Sequence, residues 1–127
     1  QMCIRDSYDF NQEQPIEDAL KQLNAENGGI EFDDAYEVNP SETTPIAMVG
    51  DTDGKRRVKL YSDRNGLVVF TANPFDPDQE AAHEYNALAT EAQTLPDAIN
   101  HSDFGDIVLR PGKPVTNTIR YQYERLN

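Results

Sequence analysis

The sequence predicts an α+β fold: two helix-then-strand units, with an antiparallel hairpin at about 56–71 packed on a helix at about 77–95. Three observations carry this reading. Residues 15–29 show one apolar helical stripe closed by Gly28 and Gly29. Two β-rich runs, RVKLY and LVVF, flank Asp63-Arg64-Asn65-Gly66, and Asn-Gly between such runs is a hairpin signal. A second stripe, Ala81, Tyr85, Leu88, Ala92 and Leu95, repeats at intervals of four and three residues, the spacing of one helix face.

Residues 1–7, QMCIRDS, read as the translation of a transposon-end sequencing adapter and are set aside, as cloning and processing segments are. Residues 8–127 then form a single small domain, or a fragment of a larger protein, of about 120 residues. No start methionine stands near Tyr8, so the N-terminus is expected to be open. Cys3 leaves with the adapter, and no cysteine remains. Disulfides, thiol catalysis and cysteine-bound metals are thereby excluded from this stretch.

Pro15 suits the first turn of a helix, and Ile16, Ala19, Leu20 and Leu23 fall on one face. Ile30 to Phe32 follows as a short strand. Residues 39–54 read as loop, punctuated by Pro40, Pro45, Gly50 and Gly54, with a brief strand at 46–49. In the hairpin, Val58 and Leu60 face the core and alternate with Lys59 and Tyr61. Asp76 caps the second helix, with Pro77 at its first position and Gln79 three residues from the cap. Pro96 restarts the chain as a last helical turn, Asp97 to Asn100. A strand near Ile107 follows, then a turn at Pro111-Gly112 and a closing strand over NTIRYQY. The strands near 30 and 107 are expected to pack on the 77–95 helix. IEDAL…GGIEF and LPDAI…GDIVL share one order, helix then glycine then strand.

The formal net charge is −12. That charge repels nucleic acid and anionic membranes, so the Lys55, Arg56, Arg57, Lys59 cluster reads as the solvated face of a strand. No apolar run approaches the roughly 20 residues of a membrane span. Asp51-Thr52-Asp53-Gly54 opens like a calcium loop, but Lys55 and Ser62 stand where that loop needs an oxygen ligand and a glutamate. A polar turn before a strand accounts for it. Asp76 and Asp78 are explained by helix capping. His83 and His101 have no partner at a catalytic or metal-binding spacing. Glu31, Asp33 and Asp34 cluster beside a strand, and paired carboxylates can do glycosidase chemistry at a suitable separation. Asn100-His101-Ser102 forms a sequon. No phosphate loop, dinucleotide loop or nucleophile elbow occurs. No residue is assigned to catalysis, cofactor binding or metal binding, and no cofactor is expected.

The stretch TLPDAINHSDFGDIVLRPGKPVTNTI resembles the opening motif of right-handed parallel β-helix proteins, the pectate-lyase-like superfamily. Ala98, Ile99, Gly105, Asp106, Ile107, Leu109, Pro111 and Gly112 carry the likeness. Ala19, Leu20, Gly28, Gly29, Ile30, Phe32 and Tyr36 repeat it upstream. The resemblance implies an alternative fold, the N-terminal fragment of a parallel β-helix, although antiparallel hairpins are foreign to such coils. It implies an extracellular or cell-envelope protein that binds or processes polysaccharide, with polysaccharide or other envelope proteins as partners. The fragment itself would be non-catalytic, because the family's catalytic residues lie on later rungs. A second likeness, to the heads of pilins and pseudopilins, implies a non-enzymatic assembly module.

The face assignment in the 56–71 region has a direct test. Leu60→Asp places a charge on the predicted buried face and is expected to abolish the cooperative melting transition of the chain. An unchanged melting curve would reverse the faces.

Overall fold

A computed structural model describes residues 9–28, 31–71 and 87–127. These fall into two compact units, Gln1–Asp33 with Phe70–Ala89, and Asp34–Val69 with Thr90–Asn127.

In the first unit, helix α1 runs over Ile16–Asn27. Pro15 has φ −62 and starts it without losing a donor, and its carbonyl accepts from Asp18 N at 3.1 Å and Ala19 N at 3.2 Å. Gly28 ends it at φ 74, a left-handed conformation that glycine adopts without strain, and donates to Asn24 O at 2.8 Å. Ala19 and Leu23 are buried with Phe32, and Phe10 and Leu20 pack against them. The rings of Phe10 and Phe32 meet edge to face at 5.5 Å, the arrangement their quadrupoles favour. Phe32 is locked at its backbone too: its N–H donates to Thr71 Oγ1 and its carbonyl accepts from Thr71 N, both at 2.9 Å.

The remaining elements are strands: β1 Asp33–Glu37, β2 Ala47–Gly50, β3 Arg56–Ser62, β4 Gly66–Thr71, β5 Leu88–Gln93 and β6 Ile119–Arg125. A short 3-10 turn occupies Ala98–Asn100. Two three-stranded sheets result, ordered β1–β4–β5 and β2–β3–β6. In the second, β3 is central and antiparallel to both neighbours, with Leu60 opposite Ala47 on one side and Tyr121 on the other.

The α+β expectation with a 56–71 hairpin is therefore corrected to a mostly antiparallel β-architecture with one α-helix among the described residues. Strands occupy both halves of the expected hairpin, but they lie in different sheets. Both edges of β3 are already taken, by β2 and β6. Neither Asn65 nor Gly66 has a positive φ, which a type I′ hairpin turn requires at both central positions. The true local hairpin joins β2 to β3. There Gly54 at φ 67 turns the chain, and Asp51 pairs with Arg56 through Asp51 N to Arg56 O at 2.9 Å. The Asp-Gly signal was present in DTDG, and the flanking prolines masked it.

Three further expectations are corrected. Of the expected helix 77–95, residues 77–86 lie outside the described residues, and Leu88–Gln93 is strand β5. In LATEAQ the spacing Leu88, Ala92, Leu95 suits a helix, but Leu88, Thr90 and Ala92 suit a strand equally, and pairing with β4 decides. The strand near Ile30 begins instead at Asp33, Ile30 itself lying outside the described residues. The strand near Ile107 is absent: residues 105–110 have no regular structure. The helix-glycine-strand repeat accordingly has no structural counterpart, and neither does the first rung of a β-helix.

Leu60 is 1% exposed, but so is Ser62, and Tyr61 is 6% exposed. The end of β3 is thus buried on both faces rather than on one. Gly66 is needed for close approach: a Cβ there would lie 2.8 Å from Gln93 O and 3.1 Å from Leu95 N. Gly66→Ala is expected to destabilise the chain by about 1–3 kcal/mol in denaturant titration, an overpacking cost. Gly54→Ala, with open space around its Cβ, is expected to cost about 1–2 kcal/mol through its left-handed backbone alone.

Candidate functional site

The most heavily fixed part of the second unit is the junction between β5 and the loop that follows it. Asn65 organises it. Its Oδ1 accepts from Leu95 N at 3.2 Å, and its Nδ2 donates to Phe104 O at 2.9 Å. Its own carbonyl accepts from Val38 N at 2.8 Å. One residue thereby ties together three stretches distant in sequence, two through its side chain and one through its carbonyl. Gly105, at φ 112, brings the backbone against Thr94, whose Cγ2 would lie 3.0 Å from an added Cβ.

Asp97 is the one non-glycine residue with positive φ, 62, among the described residues. Aspartate tolerates that region better than most side chains. Its carboxylate takes Asn100 Nδ2 at 2.6 Å and His101 Nε2 at 3.2 Å. His101 in turn stacks on Phe104, with ring centroids 4.6 Å apart. His101 and Asn100 thus brace this loop.

On β5 itself, Glu91 is exposed between Thr90 and Ala92. Thr90 O accepts from Tyr121 Oη at 3.0 Å, so β6 reaches this strand beside Glu91. Among the described residues Glu91 and Glu37 are the carboxylates within strands that make no hydrogen bond or ion pair. The helical reading of 77–95, drawn from its apolar stripe, did not single Glu91 out. The β-branched Thr90 in LATEAQ was the available signal for a strand.

Several other carboxylates are occupied. Asp51 accepts from the Arg56 side chain at 2.8 Å and from Arg56 N and Lys55 N, and the Arg56 guanidinium holds its carboxyl below the usual range. It closes a turn, as the sequence suggested, and Asp53 does not join it in any ligand cluster. Glu124 bridges Lys59 at 2.8 Å and Arg57 at 2.6 Å. Those two cations, Lys59 foremost, hold its carboxyl low. Asp106 is lowered by the Val108 N–H and then by Arg110. The basic cluster at 55–59 is consequently neutralised at Arg56, Arg57 and Lys59. Asp33 and Asp34 are neighbours on β1, so they point to opposite faces. With Glu31 preceding the strand, they form no convergent acid pair. Asp76, Asp78 and His83 lie outside the described residues.

A shallow pocket is lined by Glu42, Tyr61, Ser62, Thr118 and Arg120. Arg120 stands 3.6 Å over the Tyr61 ring and donates to Glu42 O at 2.9 Å and Gln122 Oε1 at 3.0 Å. Its donors are used internally. Among the described residues no group of three or more His, Cys, Asp or Glu side chains is placed to hold a metal. No helix among them is long and apolar enough to cross a membrane.

The aldose 1-epimerase family model matches residues 4–122. The chain is 59% identical over 118 residues to a maltose epimerase of Levilactobacillus brevis, a match covering 93% of this chain and 34% of that protein. It is 36% identical over 127 residues to an aldose 1-epimerase of Streptococcus thermophilus, covering 92% of this chain and 35% of that protein. The chain therefore spans about a third of the length of these relatives. No solved structure matches. These matches overturn the pectate-lyase-like resemblance, since both stretches that carried it lie inside residues 4–122. The polysaccharide-binding envelope protein and the pilin-like assembly module fall with it: the relatives are named as epimerases, enzymes that modify sugars.

The Glu124 bridge makes a pH prediction. Its folded pKa lies below the ordinary 4.5. The bridge therefore stabilises the fold fully above that value, and the contribution is lost as pH falls through the lowered folded value. Glu124→Gln is expected to lower the melting temperature at pH 7, with the deficit closing as pH falls through the lowered folded value. Equal deficits at pH 7 and pH 3 would rule the bridge out as the cause.

Proposed function

The chain belongs to the aldose 1-epimerase family, and on that premise we propose that it supplies part of the sugar site of an enzyme interconverting the anomers of a reducing sugar. Maltose is the first substrate to try, since the relative at 59% identity is named for it. Inversion at C1 of a hemiacetal proceeds by ring opening. The C1 hydroxyl gives up its proton to a base as the bond from C1 to the ring oxygen breaks, and the ring oxygen takes a proton from an acid. Rotation about C1–C2 and closure onto the other face of the aldehyde return both protons. The net change is configuration alone.

The base must be a group that is free to take the proton and is held rigidly. Asp51, Asp106 and Glu124 fail the first requirement, because their hydrogen-bond donors and cations stabilise the carboxylate. Glu91 meets both. It lies inside β5, at the strand whose following loop Asn65 clamps. The single observation that supports its assignment is this unpartnered position within a strand. Glu37, also unpartnered among the described residues, is the last residue of β1, whereas Glu91 lies inside β5; both strands are edges of the sheet β1–β4–β5. The acid for the ring oxygen is not assigned to this chain.

The test uses the Levilactobacillus brevis relative with its matched third exchanged for this chain. Polarimetry of maltose mutarotation is expected to show Glu91→Gln lowering kcat by about 10²–10⁴-fold, with the melting temperature unchanged. Glu37→Gln is expected to leave the rate within about twofold. An unaltered kcat for Glu91→Gln would remove it as the base. A folded graft inactive on all aldoses and reducing disaccharides would overturn the epimerase reading.

A further inference from the structure

Residues 105–118 lead from the 3-10 turn to β6 and present an apolar band to solvent. Ile107 is 49% exposed, Leu109 74% and Val115 59%. The band continues onto β6, where Ile119, Tyr121 and Tyr123 share one face and are 43%, 55% and 61% exposed. Exposed apolar bands of this extent mark interaction surfaces.

The backbone points the same way. Asp106 holds Val108 N at 2.9 Å and Arg110 at 2.8 Å, but the N–H groups of Ile107 and Leu109 make no hydrogen bond among the described residues. GDIVL has the composition of a strand and pairs with no strand among the described residues. β6, beside it in sequence, is the edge of its own sheet. Unpaired donors next to apolar side chains are a template for strand addition. The stretch is also distinct in charge. Residues 105–127 carry four basic side chains against two acidic ones, in a chain of net charge −12.

The relatives indicate what covers this band. Each is about three times as long as the matched part. We propose that residues 106–110 pair as a β-strand with the polypeptide that aldose 1-epimerases carry outside this third, and that the apolar side of β6 docks on the same polypeptide. The occupant is the rest of the epimerase chain, not a second copy of this segment. The inference rests on family membership and is independent of Glu91 or any sugar chemistry.

Hydrogen exchange and melting of the same Levilactobacillus brevis graft test it. In the graft, the Ile107 and Leu109 amides are expected to exchange at least about 100-fold more slowly than in the isolated 127-residue chain. Leu109→Asp is expected to lower the melting temperature of the graft by about 5 °C or more. Met48→Asp, on the opposite face of the same sheet, is expected to leave it unchanged. Fast exchange at both amides in the graft, or a silent Leu109→Asp, overturns the proposal. So does slow exchange at those amides in a dimer of the isolated chain, which would make a second copy the occupant. A folded but inactive graft with both amides protected would support this inference while sinking the epimerase reading.

Discussion

The Asn65–Gly66 step is the constraint on which the second unit depends. Asn65 satisfies backbone groups from the start of the loop after β5, from that loop's far end, and from the end of β1. Each would otherwise need another partner or water. Gly66 makes this possible by omission, because any Cβ would strike the backbone at Gln93 and Leu95. The chain can then leave one sheet at Ser62 and enter the other at Gly66 within a few residues. Without that close approach, β5 and its loop lose the surface that fixes them. Glu91 owes its fixed position to the same contact, although it touches neither residue.

The distribution of charge follows a simple division. Cations are scarce in this acidic chain, and most of those on strands are spent on named partners: Arg56 on Asp51, and Arg57 with Lys59 on Glu124. Each pairing fixes a turn or a strand register and weakens the carboxylate as a base. Glu91 on β5 has no such partner among the described residues. Residues of one type are thus distinguished by what stands beside them, which the residue type alone does not reveal.

Local signals in the sequence proved readable where they were decided locally. Pro15, the stripe Ile16–Leu23 and Gly28 specify α1 through propensity and capping, and the helix runs where they place it. The β-rich runs at 56–62 and 66–71 and the closing strand are likewise present. Pairing was not legible. Asn65-Gly66 has the composition of a hairpin turn, but its partners are Leu95, Phe104 and Val38, and no local pattern announces them. LATEAQ satisfies both helical and strand periods because alanine is indifferent to either, so a neighbouring strand settled it. The resemblance at 94–119 arose from glycine, proline and alternating apolar residues that many turns and strands share. Glu91 was not singled out because its place inside a strand shows only after the strand itself is placed.

The partnership between β3 and β6 has a consequence for the order in which the molecule assembles. β3 meets β2 across a short loop, whereas Arg57 and Glu124, which bind across β3 and β6, are 67 residues apart in sequence. Closing so long a loop is slow and entropically costly compared with the local pairing. During synthesis β3 therefore emerges with one side matched and the other bare until the 67 residues up to Glu124 have followed. Arg57 and Lys59 lie on that waiting strand, and unneutralised cations there repel a second copy in the same condition. The side chains that later clasp Glu124 thus first serve as guards of an unfinished sheet.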